Sequence, residues 1–363
     1  MIEARPEPAE LDRIRRLFRF FAATQARGES PVYETLSEAV AIDQNLLGLL
    51  LAAPNEQRRP SLLFAAVNLL LAGNSDELAT YYPIHGGRRA VDDQLVPTFA
   101  AFCDAHRETL IGLLRERSTQ INEIRRCLAL RLGLDHVRRV WPGPFALVEV
   151  GASAGLNLLF DHYDYQTPGS SPVLISCEGA PVLDPPPEIT TRLGIDQKPI
   201  DLADLDARAW LEAFIWPEQV AERATLRGAI GIAQANPQAR VVRGDAVTDT
   251  GRILRELPGS EPIVVFTASL MSYLNADART AFRAQLRETG RPVAWVFAEA
   301  PGLLATTGIG MPGALAQRNS SYLVGVSLPG QDRLLGLADP YLRWLAPARH
   351  PADDFHWLRR DDH

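Results

Sequence analysis

The sequence predicts an α/β fold with an all-α N-terminal region, and three observations predict it. Residues 1–140 carry apolar positions at helical spacing with no alternating strand pattern between them. From Phe145 onward, short β-rich apolar runs alternate with helical stretches, which implies right-handed crossovers and a parallel, Rossmann-like sheet. Tyr322–Leu328 and Arg333–Ala338 flank a Pro-Gly-Gln-Asp turn and read as a C-terminal antiparallel hairpin. The expected organisation is a helical cap domain over 1–140 and a sheet domain over 141–363, with an insertion or lid at about 179–207.

Each element has its own signal. Glu34–Ala53 places Leu36, Ala39, Val40, Leu46, Leu47 and Leu50 on one helical stripe, stopped by Pro54-Asn55. Ser61–Ala72 is apolar on nearly every side and reads as a buried helix ended by Gly73-Asn74. Leu95–Arg117 and Gln120–Leu132 follow as helices, the second with a polar start. Trp141-Pro142-Gly143-Pro144 marks the change of pattern. Strands are expected at Phe145–Val150, Pro172–Cys177, Ala239–Arg243, Pro262–Thr267 and Pro292–Ala298, with helices from Leu156, at Glu218–Ala235 and at Ala276–Thr289. The segment from Gly179 to Ala207, rich in Pro and Asp, is the expected insertion.

Bulk properties narrow the function. At 363 residues the chain is long enough for two domains, and 46% hydrophobic with 22% charged residues is ordinary for a globular protein. A formal charge of −7 argues against nucleic acid or an anionic membrane as partner, since both need a basic field. Cys103, Cys127 and Cys177 have neither zinc-site nor disulfide-framework spacing. The apolar run Leu62–Ala72, broken by Asn68, is too short to span a bilayer, and Met1–Glu10 is unlike a secretory signal. A cytoplasmic protein acting on a small molecule, with no metal, is the expectation; the sequence does not give an oligomeric state.

The most informative stretch is Leu147-Val148-Glu149-Val150-Gly151-Ala152-Ser153-Ala154-Gly155-Leu156-Asn157. A strand runs into small residues and then a helix, so the backbone can approach a ligand and the helix start offers N–H groups to negative charge. A dinucleotide fingerprint would need glycine at Ser153 and Leu156. An acid two residues before a G-x-G-x-G loop fits an S-adenosylmethionine (SAM) site with one departure, Ser153 for the middle glycine. Glu149 would then neutralise the ammonium of the methionine moiety, with Gly151, Ala152, Ser153 and Gly155 under the ribose. Gly151-x-Ser153-x-Gly155 also has the form of a hydrolase nucleophile elbow, with His85-Gly86-Gly87 as an oxyanion sequence and His350 or His356 to close a triad. Against it, no strand is expected upstream, and Glu149 has no role. A plain strand–helix turn, or a non-catalytic site for SAM or a nucleoside, is the third reading.

Downstream positions extend the cofactor reading. Asp245 and Ala246, in Arg243-Gly244-Asp245-Ala246, follow the third expected strand and fit an adenine site. Glu178, after Pro172–Cys177, is the first choice for the ribose acid and Asp196 the alternative. Thr267, Ser269 and Tyr273 lie after the fourth strand, where the Asp/Asn-Pro-Pro-Tyr of amino-methyltransferases is absent, and could position a substrate. Glu299 ends the fifth strand and Glu123 lies in the polar start of Gln120–Cys127; either is a candidate base, with Tyr273 and Asn122 positioning. Arg126 could hold a carboxylate or phosphate. His162, beside Asp161 and Asp164, reads as a surface cluster rather than a metal site.

A parallel sheet finished by an antiparallel hairpin is the strand plan of class I methyltransferases. Nearly the whole chain resembles an uncharacterised bacterial family known only as a domain of unknown function, itself similar to SAM-dependent methyltransferases. The resemblance is carried by Gln120-Ile121-Asn122-Glu123-Ile124-Arg125-Arg126-Cys127, by Val148 to Leu158, by Arg192-Leu193-Gly194-Ile195-Asp196, and by Trp210-Leu211, Trp216-Pro217-Glu218 and Gly244-Asp245. It implies a Rossmann-like fold and SAM as cofactor, and no particular reaction. Asp339-Pro340-Tyr341 departs from the Asp-Pro-His-Gly that relatives often carry.

Overall fold

The computed structural model describes residues 8–311, 313–316 and 321–348. They form two compact units, one of residues up to Ile121 with Ala203–Leu226, the other of Asn122–Leu202 with residues from Arg227 on. The division therefore falls at 121/122 and not at 140, and a later segment returns to the first unit.

The helices of the first unit are α1 (Pro8–Phe21), α2 (Pro31–Ile42), α3 (Gln44–Leu49), α4 (Pro60–Leu71), α5 (Leu95–Ala105) and α6 (Arg107–Glu116). Two expected long helices are broken. Asp43 turns its side chain onto the N–H groups of Asn45 and Leu46 and starts α3 afresh, so Glu34–Ala53 is not continuous. His106, at φ −107 and ψ 16, separates α5 from α6. Ser30 caps α2 and Pro31 opens it, as Pro60 opens α4. An aromatic core fills the unit: Tyr33 stacks on Phe64 at 4.2 Å between ring centroids, with Phe18 edge-on to Phe64 and Phe21 against Trp216. Trp210 donates to the Ser118 carbonyl and Glu218 accepts from the Val32 N–H, so these family-carrying residues serve packing.

The second unit opens with α7 (Cys127–Val140), and α8 (Leu205–Glu212) lies in the segment belonging to the first. The expected helix Gln120–Leu132 thus starts only at Cys127, after a short 3-10 turn, Ile124–Arg126. The strands are β1 (Phe145–Val150), β2 (Asp164–Tyr165), β3 (Leu174–Ile175), β4 (Ile189–Asp196), β5 (Ala239–Arg243), β6 (Ile263–Ala268), β7 (Val293–Glu299), β8 (Tyr322–Leu328), β9 (Gln331–Ala338) and β10 (Leu345–Pro347). Between them come α9 (Val220–Ala235), α10 (Thr250–Glu256), α11 (Ala276–Gln285), α12 (Pro301–Ala305) and α13 (Gly313–Ala316).

Across the main sheet the order is β10-β9-β8-β7-β6-β1-β4-β5. The run from β7 through β6, β1 and β4 to β5 is parallel, and β8, β9 and β10 add antiparallel. This mixed α/β architecture, mostly parallel with a C-terminal antiparallel hairpin, is what the sequence pattern implied. The second strand is a correction. Pro172–Cys177 contributes only β3, paired with β2 in a separate two-stranded ribbon. The neighbour of β1 is β4, which lies inside the supposed insertion at 179–207. Its sequence, Ile-Thr-Thr-Arg-Leu-Gly-Ile-Asp, alternates too weakly to announce a strand.

Alternate residues of β1, β4, β6 and β7 (Val148, Ile195, Val265, Trp295 and Phe297 among them) pack with Leu254 and Phe282 of α10 and α11. Helix α7 packs on β7, and Gly133 permits it, because a Cβ there would lie 2.3 Å from Val296 Cγ1. Glycine to alanine inside a helix ordinarily gains stability, but here stiff, β-branched Val296 stands in the way. Gly133→Ala should therefore destabilise by about 1–3 kcal/mol through overpacking. Gly231→Ala in α9, where a Cβ meets nothing within 4 Å, should stabilise by about 0.5–1 kcal/mol. Urea titration of both variants checks the two signs.

Candidate functional site

β1 is buried along its whole length, as a parallel strand covered on both faces must be, and its residues are apolar but for Glu149. The chain leaves β1 towards β4 and β5 on one side and returns to β6 on the other, so the C-terminal end of β1 is the switch point where open α/β sheets hold ligands. Gly151, Ser153 and Gly155 all have positive φ, +80, +53 and +72. At Gly155 a Cβ would also lie 2.7 Å from Val241 Cγ2. Two glycines are thus required by backbone and space, and Ser153 accepts a conformation that side-chain-bearing residues avoid.

The loop's N–H groups are engaged within the protein. Gly151 and Ala152 donate to the Ile195 carbonyl, Ser153 to Asp196 Oδ2 at 2.8 Å, Ala154 to Asn122 Oδ1 at 2.9 Å, and Gly155 to the Ala152 carbonyl. Asn122 completes a two-way clamp by donating to the Ala152 carbonyl. The expected helix after the loop is a seven-residue 3-10 segment, Leu156–His162, kinked at Leu159. The five N–H groups from Gly151 to Gly155 are therefore not offered to an anion. The loop is a rigid shelf.

Glu149 is the chemically conspicuous residue. It is 3% exposed; Oε1 accepts from Asn157 Nδ2 at 2.8 Å, while Oε2 is buried without a partner. Burial pushes its carboxyl up to about 8, against the opposing Asn157 hydrogen bond and the more distant Arg126 charge, with Asp196 adding to the rise. Cys127 Sγ lies 3.2 Å from Asn157 Oδ1 and orients that amide.

Glu299, at the end of β7, is fully buried and pushed up by burial to about 7. Its oxygens accept the N–H groups of Leu270 and Met271 at 2.9 and 3.2 Å, and Thr267 adds a hydrogen bond. Glu299 thereby caps the 3-10 turn that carries Tyr273, a structural task beside the expected one as base. Ser269 Oγ lies 2.6 Å from Tyr322 Oη. Tyr322 had no signal in the sequence beyond opening a hairpin strand, and Asn157 was visible only as part of the loop.

The remaining acids separate by position. Asp196 ends β4 beside the loop, accepting from Ser153 N and Lys198 N. Asp245 follows β5; its burial is outweighed by the N–H groups of Thr248 and Val247 and by Gln197, which hold the carboxyl low, and Ala246 beside it is buried. Glu178, the first choice for the second strand's acid, is exposed, forms an isolated bridge with Trp344 and belongs to no strand of the parallel sheet. The acid at that strand end is Asp196. Glu123 caps the turn before α7 and pairs with Arg125, while Arg126 is buried.

Ser153 Oγ is buried and meets no partner among the described residues. His350 and His356 lie outside the described residues. His85-Gly86-Gly87 belongs to the first unit, where His85 Nε2 is 2.6 Å from Asn68 Oδ1 and Gly86 closes a turn. Asp161 binds Arg192, and Asp164 accepts from Gly169 and Ser171; among the described residues no cluster of three His, Cys, Asp or Glu could hold a metal. Nor is any described helix long and apolar enough to cross a membrane.

A family model described as an uncharacterized protein conserved in bacteria (DUF2332) matches residues 15–346. The chain belongs to that family. No curated protein matches it. The match takes in every clamp residue of the loop, Asn122, Asp196 and Glu149 included, so the shelf lies wholly within the DUF2332 region.

The raised Glu149 carboxyl has a definite pH consequence. Between its ordinary value of 4.5 and about 8 the folded protein keeps a proton that the unfolded chain has lost. Its contribution to stability is therefore whole below pH 4.5 and is lost as pH rises towards 8. Glu149→Gln keeps an acceptor for Asn157 without the titration. It should raise stability at pH 8 by on the order of 1–3 kcal/mol and flatten the decline above pH 5. Thermal melts of both proteins from pH 5 to 9 measure this.

Proposed function

We propose that this protein is a SAM-dependent methyltransferase acting on a small molecule, with the cofactor at the C-terminal ends of β1, β4 and β5. One observation carries the reading: these three adjacent parallel strands carry acids at or just past their C-terminal ends, Glu149, Asp196 and Asp245, beside a small-residue shelf. The residues fit the cofactor at the point of greatest demand. Glu149 Oε2 is a buried acceptor with nothing bound to it, and an ammonium would satisfy it and restore its charged form. Asp196 and Asp245 stand where ribose hydroxyls and an adenine amino group would be held, and Gly151 leaves the shelf low.

The cofactor supplies an electrophilic methyl group. The protein's part is proximity, alignment and exclusion of water. Tyr273 and Ser269, after β6, stand at the acceptor side, and Glu299 or Glu123 would take a proton where the acceptor must lose one. Burial brings the Glu299 carboxyl up to about 7, the range in which a base works near neutral pH.

A hydrolase is the second reading, favoured by Ser153 alone, whose φ of +53 suits a strained nucleophile; its hydroxyl, with no base beside it among the described residues, does not. Against it stands β1 itself: it is the first strand of the sheet, whereas an elbow follows several.

Calorimetry with SAM and S-adenosylhomocysteine should give saturable binding that weakens at least about tenfold in Glu149→Ala and Asp245→Asn, the loss expected for one charged hydrogen bond. Binding of neither compound sinks the methyltransferase reading. Fluorophosphonate labelling abolished by Ser153→Ala would put the hydrolase in its place.

A further inference from the structure

Arg126 lies in the turn before α7 and is 7% exposed. A guanidinium brings five N–H donors in a fixed planar fork. Among the described residues, its hydrogen bonding amounts to Nε donating to the Pro340 carbonyl at 3.4 Å, a long contact. Its terminal nitrogens have no acceptor there, and no carboxylate lies within the 4.0 Å of an ion pair. Adjacent Arg125, by contrast, pairs with Glu123 and donates to the Tyr341 carbonyl.

The charge of Arg126 nevertheless reaches four groups, Glu149, Glu299, Tyr322 and Tyr341. Neither acid can swing over to meet it. Asn157 holds Glu149, and the N–H groups of Leu270 and Met271 hold Glu299. The result is a buried cation kept short of the acids around it.

We propose that Arg126 is the receptor for a carboxylate on a small ligand bound at the C-terminal ends of β1 and β7. A planar carboxylate matches the fork of a guanidinium with two parallel hydrogen bonds. A dianion such as phosphate suits the centre less, because Glu149 and Glu299 bring no positive charge to match its second one. Burial favours their neutral forms, which leaves Arg126 with one charge to be matched.

The binding claim is independent of methyl transfer; only the source of the carboxylate rests on the methyltransferase reading. The source is either the amino-acid end of SAM or a separate acid that accepts the methyl group. Calorimetry on the full chain with two matched pairs separates them: SAM against decarboxylated SAM, and benzoate against benzamide. In at least one pair the carboxylate member should bind about 10–100-fold more tightly, and Arg126→Gln should erase that difference while leaving the neutral member unchanged. A difference in the first pair assigns Arg126 to the cofactor, and one in the second to the acceptor. Arg126→Lys keeps the charge without the fork and should retain part of the discrimination.

Because Arg126 is unmatched in the free protein, Arg126→Gln should leave the ligand-free Tm unchanged or raised. A lowered Tm with equal loss of both members of a pair marks a structural residue and overturns the proposal. Equal binding within both pairs, or discrimination that survives Arg126→Gln, overturns it too, and if SAM still binds, the methyltransferase reading stands. Benzoate discrimination without SAM binding has the opposite meaning. No binding of any of the four compounds defeats both.

Discussion

Glu149 sits in a strand that water reaches on neither face, and much of the surrounding architecture serves to keep a carboxyl group there. One oxygen is satisfied by Asn157, which is itself steadied by Cys127 from the start of α7. The other is left bare. In a packed interior such an oxygen is unfavourable in either protonation state unless a hydrogen-bonding partner meets it. Under the proposed function, the cofactor's ammonium would remove that deficit. Raised Glu299 and sparsely bonded Arg126 belong to the same centre, so three ionisable side chains share one region of low dielectric.

Around this centre the backbone is fixed, not yielding. Asp196 from β4 and Asn122 from the segment before α7 each grip the loop after β1, and Gly155 fits a space that Val241 closes to any side chain. Gly194 of β4 has the same role from below, where a Cβ would lie 2.7 Å from that of Ala152. These contacts hold the shelf in place from within the protein. They also explain why the polar stretch Gln120–Cys127 has the composition it does. Asn122 clamps, Glu123 caps and pairs, and Arg126 faces the buried acids.

Much of the fold was legible in the sequence. β1, β5, β6, β7 and the β8–β9 hairpin fell where apolar runs and turn residues put them, because the interior of a parallel sheet requires such runs. Errors arose where one side chain or one partner decides. Asp43 and His106 each interrupt an apolar stripe that otherwise continues, and periodicity does not register a cap in mid-stripe. β4 escaped notice because its hydrophobic content is low, and Arg192 within it is carried by a bidentate pair with Asp161 that no local pattern reveals. Glu178 was preferred over Asp196 for the same reason: a wrong second strand brings a wrong strand-end acid.

By itself, the sequence determined that a carboxylate would stand two residues before a small-residue bend, and that the bend would lead out of a buried strand. Strand composition and the special backbone freedom of glycine are local properties, and local properties survive in a linear reading. Only the tertiary structure decided which acids stand at neighbouring strand ends, that the loop's N–H groups face inward to Asp196 and Asn122, and that Arg126 lies unmatched among Glu149, Glu299, Tyr322 and Tyr341. Those are relations between segments as much as 215 residues apart in the chain, from Arg126 to Tyr341. Pairing, desolvation and charge are set by neighbours in space, which the sequence order does not contain.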